Sequence, residues 1–286
     1  MKSLSKPTIT NIAKFNINQH LNSCHLILGN SLTALKKLPD SCIDLTVTSP
    51  PYDDLRIYNG YSFEFEAIAH ELYRVTKSGG ILVWIVGDAT KGGSETGTSF
   101  RQALYFKDVC GFKIHDTMIY ASDKPPLTHK RYEQKFEYMF VLSKGKTKTF
   151  NPIMEECKYV GNRKQARTFR HTGTSLEKSH QLNNVKSKKI KGNIWTYSTG
   201  YNKSTKDYFA FQHPAVFPEA LAEDHIISWS NEGDLVLDPF VGSGTTGKMA
   251  MLHKRRFLGI DISEDYLKIA IKRIHNYKNE AVEQTG

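Results

Sequence analysis

One stretch near the end of the chain is the most informative about its fold. It runs Leu235-Val236-Leu237-Asp238-Pro239-Phe240-Val241-Gly242-Ser243-Gly244-Thr245-Thr246-Gly247. The apolar start predicts a strand, the glycines predict a tight turn, and the remainder predicts a helix through His253. Glycines let the backbone approach a nucleotide-like ligand closely, and a helix N-terminus favours a carboxylate or a phosphate. A second short strand, Phe257 to Ile260, leads to Asp261, whose carboxylate can accept hydrogen bonds from ribose hydroxyls.

More than one ligand fits this turn. Its three glycines match G-x-G-x-x-G, and Asp261 follows nineteen residues after Gly242, as in dinucleotide-binding proteins. The residues from Gly242 to Lys248 also match G-x-x-x-x-G-K, but a P-loop needs Ser or Thr next to hold magnesium, and this chain has Met249. The pattern therefore weakens a phosphate site and leaves a dinucleotide site open.

A second motif lies far upstream, at the end of the apolar run Ile43 to Thr48. The run predicts a strand, and Ser49-Pro50-Pro51-Tyr52 predicts a stiff loop at its carboxyl end, the edge where open parallel sheets bind ligands. Two prolines fix φ and remove two amide donors, so the Ser49 oxygen and nearby carbonyls are left as acceptors for a substrate amine. The Tyr52 ring beside them can stack on a nucleobase.

The order of the two motifs is informative in itself. Only 25 residues follow Asp261, enough for a helix from Glu264 to Tyr277 but not for the rest of a nucleotide-binding sheet. The other strands must come from the N-terminal half of the chain. We therefore expect a sheet whose catalytic strand precedes its cofactor strand.

The two motifs resemble those of the DNA amino-methyltransferases, which transfer a methyl group from S-adenosylmethionine to the exocyclic amine of cytosine or adenine. The Ser-Pro-Pro-Tyr loop resembles motif IV, and the stretch with Asp238-Pro239-Phe240 resembles motif I, which surrounds the methionyl part of the cofactor. The motif order resembles the circularly permuted beta group. The resemblance implies a Rossmann-like α/β fold of the S-adenosylmethionine-dependent methyltransferases, circularly permuted, with an inserted target-recognition region. Dinucleotide-binding and P-loop proteins become remote alternatives.

The resemblance also implies the residues of the site. The catalytic set is Ser49, Pro50, Pro51 and Tyr52, and the cofactor-binding set is Asn30, His213, Phe217, Asp238, Phe240, Gly242, Gly244, Thr245, Thr246 and Asp261. Asn30 stands where motif III of the family commonly has Asp, and its side-chain oxygen could still contact the cofactor's adenine amine. The segment from His213 to Glu219 resembles motif X, which packs over the cofactor. Asp88 follows a predicted strand, Ile81 to Val86, and either lines the pocket or caps a helix or turn.

The target amine follows from the first residue of the loop. Ser49 resembles the cytosine-N4 enzymes, whereas Asp or Asn is usual in the adenine-N6 enzymes. We therefore expect transfer to the N4 amine of cytosine in duplex DNA after base flipping, with N6 of adenine as the alternative. Methylation of cytosine carbon-5 requires a Cys nucleophile that follows a proline in its family, and none of the four cysteines here follows a proline.

The charge of the chain is concentrated in one stretch. Residues 143 to 207 contain fifteen Lys or Arg against four acids, while the whole chain of 286 residues carries a formal net charge of +10. This stretch has little helical or strand periodicity and interleaves aromatic residues, the footprint of a phosphate-backbone partner. A solvated lysine-rich insertion is the alternative. We predict a catalytic half at 20–142, a target-recognition insertion at 143–207 and a cofactor-binding half at 208–280.

Composition excludes several other classes of protein. The chain has no apolar run of membrane-spanning length, and no apolar stretch follows Lys2 and Lys6 as in a secretory signal. Its four cysteines lack C-x-x-C spacing, so we expect reduced thiols, a cytoplasmic location and no metal. Double-stranded DNA is the expected partner. A cognate restriction endonuclease and a homodimer are expected only from the habit of the family.

Overall fold

The structure is a computed structural model that describes residues 7–16, 24–51, 63–122, 132–158, 160–170 and 176–283. The chain divides into two compact units. One comprises Met1–Asn151 with Asn193–Gly286, and the other comprises Pro152–Gly192.

The described elements are numbered in chain order. The strands are β1 (Thr8–Asn11), β2 (Cys24–Leu28), β3 (Ile43–Thr48), β4 (Thr76–Val86), β5 (Thr90–Lys91), β6 (Ser94–Glu95), β7 (Lys113–Ser122), β8 (Phe136–Ser143), β9 (Met154–Glu156), β10 (Gly161–Arg170), β11 (Leu176–Val185), β12 (Lys188–Ile190), β13 (Ile194–Tyr197), β14 (Leu235–Asp238) and β15 (Arg256–Asp261). The α-helices are α1 (Ser31–Lys36), α2 (Phe65–Val75), α3 (Thr98–Asp108), α4 (Glu219–Trp229), α5 (Thr245–Leu252) and α6 (Glu264–Glu283), with 3-10 turns at Ile12–Lys14 and Tyr208–Gln212.

Nine strands of the larger unit form one sheet in the order β1-β2-β15-β14-β3-β4-β8-β7-β13. Its described strands run parallel except β8, which is antiparallel to both β4 and β7. The late strands β14 and β15 insert between the early strands β2 and β3. This insertion is the circular permutation that the motif order predicts.

Helices cover both faces of the sheet. Leu35 of α1, Leu72 of α2 and Phe106 of α3 share one buried cluster with Trp84 of β4 and Leu258 of β15. Neighbouring residues in a strand point to opposite faces, so Phe257 points away from that cluster. There, a Cβ on Gly247 of α5 would lie 2.6 Å from the Phe257 ring and 2.7 Å from Ile274 of α6. The sheet is therefore wound on both sides, as a buried parallel sheet requires.

Two element boundaries differ from the sequence expectation. The predicted strand Ile81 to Val86 begins earlier, at Thr76, because Gly79 and Gly80 pair with the chain after β8. The Gly79 amide donates to the Lys144 carbonyl over 2.7 Å, and the Lys144 amide donates to the Gly80 carbonyl over 3.1 Å. The last helix extends past Tyr277 to Glu283.

The smaller unit consists of two antiparallel ladders. β9 pairs with β12, and β10 pairs with β11 from Gly161 opposite Val185 to Arg170 opposite Leu176. The predicted insertion 143–207 is thus longer than the compact unit Pro152–Gly192 and has more strand structure than its composition indicated. Residues 194–197 return to the large sheet as β13, where Trp195 and Tyr197 are buried. These two aromatic residues belong to the core and not to an exposed basic loop.

Candidate active site

The strand order brings the predicted site residues to one edge of the sheet. β2, β15, β14 and β3 are consecutive parallel neighbours, so their carboxyl ends lie side by side. Asn30 follows β2, Asp261 ends β15, Asp238 ends β14 and Ser49 follows β3. Three strand spacings of about 4.8 Å make this row roughly 14 Å long. The row suits an extended nucleoside-type ligand bound outside the carboxyl ends of the strands.

A buried hydrogen bond joins β3 to β14. Thr48 Oγ1 donates to Asp238 Oδ1 over 2.7 Å, and both residues are buried. The Phe240 amide donates to the same carboxylate oxygen over 3.1 Å. Burial raises the pKa of the Asp238 carboxyl to about 6, while these hydrogen bonds act in the opposite direction. The link fixes Ser49, the residue after Thr48, relative to the strand that carries the glycine turn.

The turn between β14 and α5 requires glycine at two positions. Gly242 and Gly244 have φ of 48° and 85°, in the region that favours glycine. A Cβ on Gly244 would also lie 2.7 Å from the Ala270 Cα, so the helix α6 closes that side of the turn. The Gly242 amide donates to Asp261 Oδ2 over 2.9 Å. The turn thus presents backbone at the site edge and is fixed by the acid that was predicted for ribose, a cradle that fits a nucleoside-type cofactor.

His213 lies against this turn. A Cβ on Gly242 would lie 2.8 Å from His213 Nε2, and the ring packs edge-on against Tyr266 with the centroids 4.3 Å apart. The Ala215 amide donates to His213 Nδ1 over 3.1 Å and fixes the ring orientation. The motif X segment therefore reaches the glycine turn through this imidazole. Phe217, later in the same segment, is half-buried.

Two other candidate pocket residues accept hydrogen bonds from the first turns of helices. Asn30 Oδ1 accepts from the Thr33 amide over 3.0 Å at the start of α1, so its role toward the cofactor stays a prediction. Asp88 Oδ1 accepts from the Ser99 amide over 2.9 Å, and Asp88 Oδ2 accepts from the Ser99 hydroxyl, at the start of α3. Asp88 thus supplies acceptors to the first turn of α3, whose N-cap residue is Gly97, and a place in the pocket stays a prediction.

The surroundings of Lys248 test the P-loop alternative. A P-loop lysine reaches the phosphates of its nucleotide. Here the Lys248 side chain is fully buried, and its Nζ donates to Asp207 Oδ2 over 2.9 Å and to Glu219 Oε1 over 3.0 Å. An ammonium group held by two carboxylates cannot serve a phosphate, so the P-loop alternative is wrong.

Arg273 of α6 is part of the same buried group, and sequence reasoning missed it. Its Nη1 donates to Ser243 Oγ and Thr245 Oγ1, each over 2.8 Å, which places a cation directly against the glycine turn. The available signal was helical spacing, because Leu267, Ala270 and Ile274 mark the buried face of α6 and Arg273 adjoins it.

The catalytic loop lies beside the aromatic residue of the cofactor motif. Ser49 and Pro51 are half-buried, Pro50 is buried, and Tyr52 lies outside the described residues. The description resumes at Phe63, whose ring packs edge-on against Phe240 with centroids 5.5 Å apart. Thr246 Oγ1, at the start of α5, donates to the Val47 carbonyl over 3.2 Å. These contacts join β3 to the start of α5 and Phe63 to Phe240, which lies just after β14.

Comparison with known proteins identifies the family. The DNA methylase family of N6 and N4 methyltransferases matches residues 43–272, which span both motifs. The chain belongs to this family. The orphan methyltransferase M.BamHII of Bacillus amyloliquefaciens is 56% identical to this DNA methylase over 245 residues, 85% of the chain and 92% of that protein. The DNA adenine methyltransferase YhdJ of Escherichia coli is 29% identical over 263 residues, 87% of the chain and 82% of that protein.

Solved structures share the fold of this DNA methylase. The cytosine-N4-specific PvuII DNA methyltransferase matches with a TM-score of 0.63 at 19% identity, covering 90% of this chain and 92% of that chain. A DNA modification methylase of Thermus thermophilus, in complex with S-adenosylmethionine, matches with a TM-score of 0.58 at 22% identity, covering 88% of this chain and 93% of that chain.

These findings confirm the predicted family, a DNA amino-methyltransferase of restriction-modification type with a Rossmann-like fold. They also confirm S-adenosylmethionine as the cofactor expected for that family. In the part of the chain that the structure describes, no helix is long and apolar enough to cross a membrane.

Proposed function

We propose that this DNA methylase transfers a methyl group from S-adenosylmethionine to the N4 amine of cytosine in double-stranded DNA. The observation that carries the proposal is the buried Thr48–Asp238 hydrogen bond of 2.7 Å. It fixes the Ser49-Pro50 loop at the end of β3 beside the glycine turn at the end of β14. The acceptor for the amine and the cradle for the methyl donor are therefore built on two adjacent strands.

The cofactor side of the site uses this chain's own backbone and acids. S-adenosylmethionine supplies an electrophilic methyl group when bound. The glycine turn at Gly242 and Gly244, with His213 against it, would hold the methionyl end, and the row toward Asp261 and Asn30 would hold the nucleoside. The Asp261 carboxylate would accept hydrogen bonds from ribose hydroxyls. Its Oδ2 already accepts from the Gly242 amide, but a carboxylate oxygen keeps a second lone pair for another donor.

The substrate side must make an unreactive amine nucleophilic. The lone pair of an exocyclic amine is delocalised into the ring of the base, so attack requires the nitrogen to become more tetrahedral. Hydrogen bonds from the amine to Ser49 Oγ and the Pro50 carbonyl would hold it in that geometry. Pro51 has no amide hydrogen, so it offers no competing donor beside these acceptors. Tyr52 is proposed to stack on the base after it leaves the duplex.

Adenine N6 is the second candidate. The DNA adenine methyltransferase YhdJ is 29% identical over most of the chain, and this similarity favours adenine. The two bases present similar amines to the same pair of acceptors. Our preference for cytosine depends on the hydroxyl of Ser49 in place of the acidic or amide residue that is usual in adenine enzymes.

The unit Pro152–Gly192 is proposed to read the DNA. It carries ten Lys or Arg against three acids. A compact antiparallel unit with this excess of positive charge suits a phosphate backbone, and the salt dependence of binding would measure the number of phosphates that it contacts.

The product of the reaction tests the proposal. DNA treated with the enzyme and labelled cofactor, then digested to nucleosides, is expected to yield N4-methylcytosine by mass spectrometry. N6-methyladenine alone would replace the cytosine assignment by the adenine one. A product of 5-methylcytosine would contradict the mechanism, because that reaction passes through a cysteine adduct.

A matched pair of serine variants tests the loop. Ser49→Ala is expected to abolish most methyl transfer while binding of S-adenosylmethionine stays near wild type. Ser78→Ala is the control, because Ser78 is exposed near the amino end of β4, at the opposite edge of the sheet. Equal activity of the two variants would remove Ser49 from the mechanism.

A further inference from the structure

Four charged side chains form a network in the larger unit, in which Glu219 is the one partly exposed member. Lys248 of α5 and Arg273 of α6 are fully buried, and their partners are Asp207 and Glu219. Arg273 Nε lies 3.2 Å from Asp207 Oδ2, and Arg273 Nη2 lies 2.6 Å from Glu219 Oε1. Two cations and two carboxylates balance, so the network is neutral inside the protein. Each carboxylate contacts both cations.

The third nitrogen of the Arg273 guanidinium, Nη1, faces the glycine turn and not the carboxylates. Nη1 donates to the Ser243 carbonyl over 3.1 Å, to Ser243 Oγ over 2.8 Å and to Thr245 Oγ1 over 2.8 Å. These acceptors flank Gly244, the residue with φ of 85° that precedes α5. Ala270, one turn earlier on α6, lies where a Cβ of Gly244 would be. The helix α6 therefore supplies both the steric wall and the donors that shape the turn.

An arginine is required for this arrangement by its geometry. The guanidinium is a rigid planar fork, so when Nε and Nη2 are held by Asp207 and Glu219 the direction of Nη1 is determined. A lysine at the same position offers one nitrogen and cannot reach both the carboxylates and the turn. The carboxylates thus orient Arg273, and Arg273 orients the turn.

We propose that Arg273 is a positioning residue for cofactor binding, aimed by Asp207 and Glu219 and holding Ser243 and Thr245 in the conformation that receives S-adenosylmethionine. The inference rests on the proposed function for the identity of the ligand. Arg273 is buried behind the turn, so it acts through Ser243 and Thr245 and not by contact with the substrate.

The test compares two buried arginines that each donate to a serine hydroxyl and to a backbone carbonyl. Arg273→Lys keeps the charge but loses the fork. Arg255→Lys makes the same change beyond the other end of α5, where Arg255 Nε donates to Ser230 Oγ over 2.9 Å and Nη2 donates to the Ser230 carbonyl over 2.6 Å. Both variants are studied as full chains.

The first readout is hydrogen exchange without ligand, followed by mass spectrometry of the peptide that covers residues 240–248. Arg273→Lys is expected to speed exchange there by about tenfold, because the turn opens locally, while Arg255→Lys leaves it near wild type. No change in Arg273→Lys, or an equal change in Arg255→Lys, would overturn the proposal.

The second readout separates binding from chemistry. Arg273→Lys is expected to raise the Kd for S-adenosylmethionine by about tenfold or more and to leave kcat at saturating cofactor within about threefold of wild type. A Kd within about threefold of wild type would overturn the positioning role. If the wild-type protein binds no S-adenosylmethionine, the proposed function fails instead, and hydrogen exchange still decides whether Arg273 holds the turn.

A milder pair of variants applies if Arg273→Lys does not fold. Ser243→Ala removes one acceptor of Arg273, and Ser230→Ala removes the matching acceptor of Arg255. We expect faster exchange at 240–248 and a Kd raised by about threefold for Ser243→Ala alone. The same Kd and exchange in both variants would contradict the proposal.

Discussion

Two ion pairs, one from each compact unit, lie in opposite surroundings. In the larger unit, Lys248 is 0% exposed and lies 2.9 Å from Asp207. In the unit Pro152–Gly192, Lys189 lies at the same distance, 2.9 Å, from Glu155, but its side chain is 61% exposed. Equal distances therefore have unequal consequences, because water and salt screen the exposed pair and are excluded from the buried one.

This difference in exposure separates charges that stabilise the fold from charges that are available to bind a partner. A buried cation that loses its partner leaves an uncompensated charge, so the network around Lys248 must stay complete. An exposed lysine can exchange one anionic partner for another with little change in free energy. The lysines of the smaller unit can therefore leave their carboxylates and bind the phosphates of DNA. The comparison predicts four effects of decreasing size.

The largest effect is expected from Asp207→Asn. The change removes one carboxylate from a network of two cations and leaves a buried excess of positive charge. We expect a loss of about 3–5 kcal/mol in the free energy of unfolding, measured by urea denaturation. Glu232→Gln is the control, because its pair with Lys254 has side chains that are 65% and 63% exposed. Similar losses in the two variants would erase the distinction between buried and exposed pairs.

A pH effect is expected from His225, buried in α4. Burial lowers the pKa of this imidazole from 6.5 to about 3. The folded state favours the neutral ring, so its contribution to stability is complete above pH 6.5 and is lost as the pH falls toward 3. Thermal unfolding between about pH 7 and 4 should therefore show a shallower decline in His225→Gln than in wild type.

A change at Asp238 is expected to affect the pH dependence of stability in the opposite direction. Burial raises the pKa of its carboxyl from 3.8 to about 6, so the folded state binds the extra proton and gains stability as the pH falls through that window. Asp238→Asn removes this gain and should make the decline between about pH 6 and 4 steeper. Parallel pH profiles in wild type and both variants would show that these two groups do not control acid stability.

A smaller effect on stability, but a clear effect on binding, is expected from charge reversal at Lys188 and Lys189. If these lysines contact phosphates, the log-log slope of DNA binding against salt should fall by about 0.9 for each contact. Lys36→Glu combined with Lys107→Glu, at exposed lysines of α1 and α3, controls for the same change in net charge. An unchanged slope would assign the two lysines to a solvated surface.

The smallest effect is expected from Glu155→Gln. Its pair with Lys189 is exposed, so the free energy of unfolding should change by less than about 1 kcal/mol, and salt should reduce the change further. A loss comparable to that of Asp207→Asn, measured under the same conditions, would contradict the comparison on which these predictions depend.

The sequence pattern predicted those elements whose boundaries depend on residues adjacent in the chain. β3 has the bounds expected from the apolar run, because nearly every residue of that run is buried and the run is continuous along the chain. The stretch Lys77-Ser78-Gly79-Gly80, which precedes the predicted strand Ile81 to Val86, also belongs to β4. Its backbone pairs with residues near Lys144, a contact that no local pattern records.

The sequence by itself determined the family, the permuted order of the two motifs and the glycine turn. Each motif consists of residues that are close together in the chain, and some of them need particular backbone conformations, such as the positive φ of Gly244. Only the tertiary structure decided that Trp195 and Tyr197 belong to the core, that Lys248 faces carboxylates, and that Arg273 holds the turn. The burial of a charge or an aromatic ring depends on partners distant in sequence. Asp207 and Arg273, 66 residues apart, meet at 3.2 Å because the sheet brings their segments together.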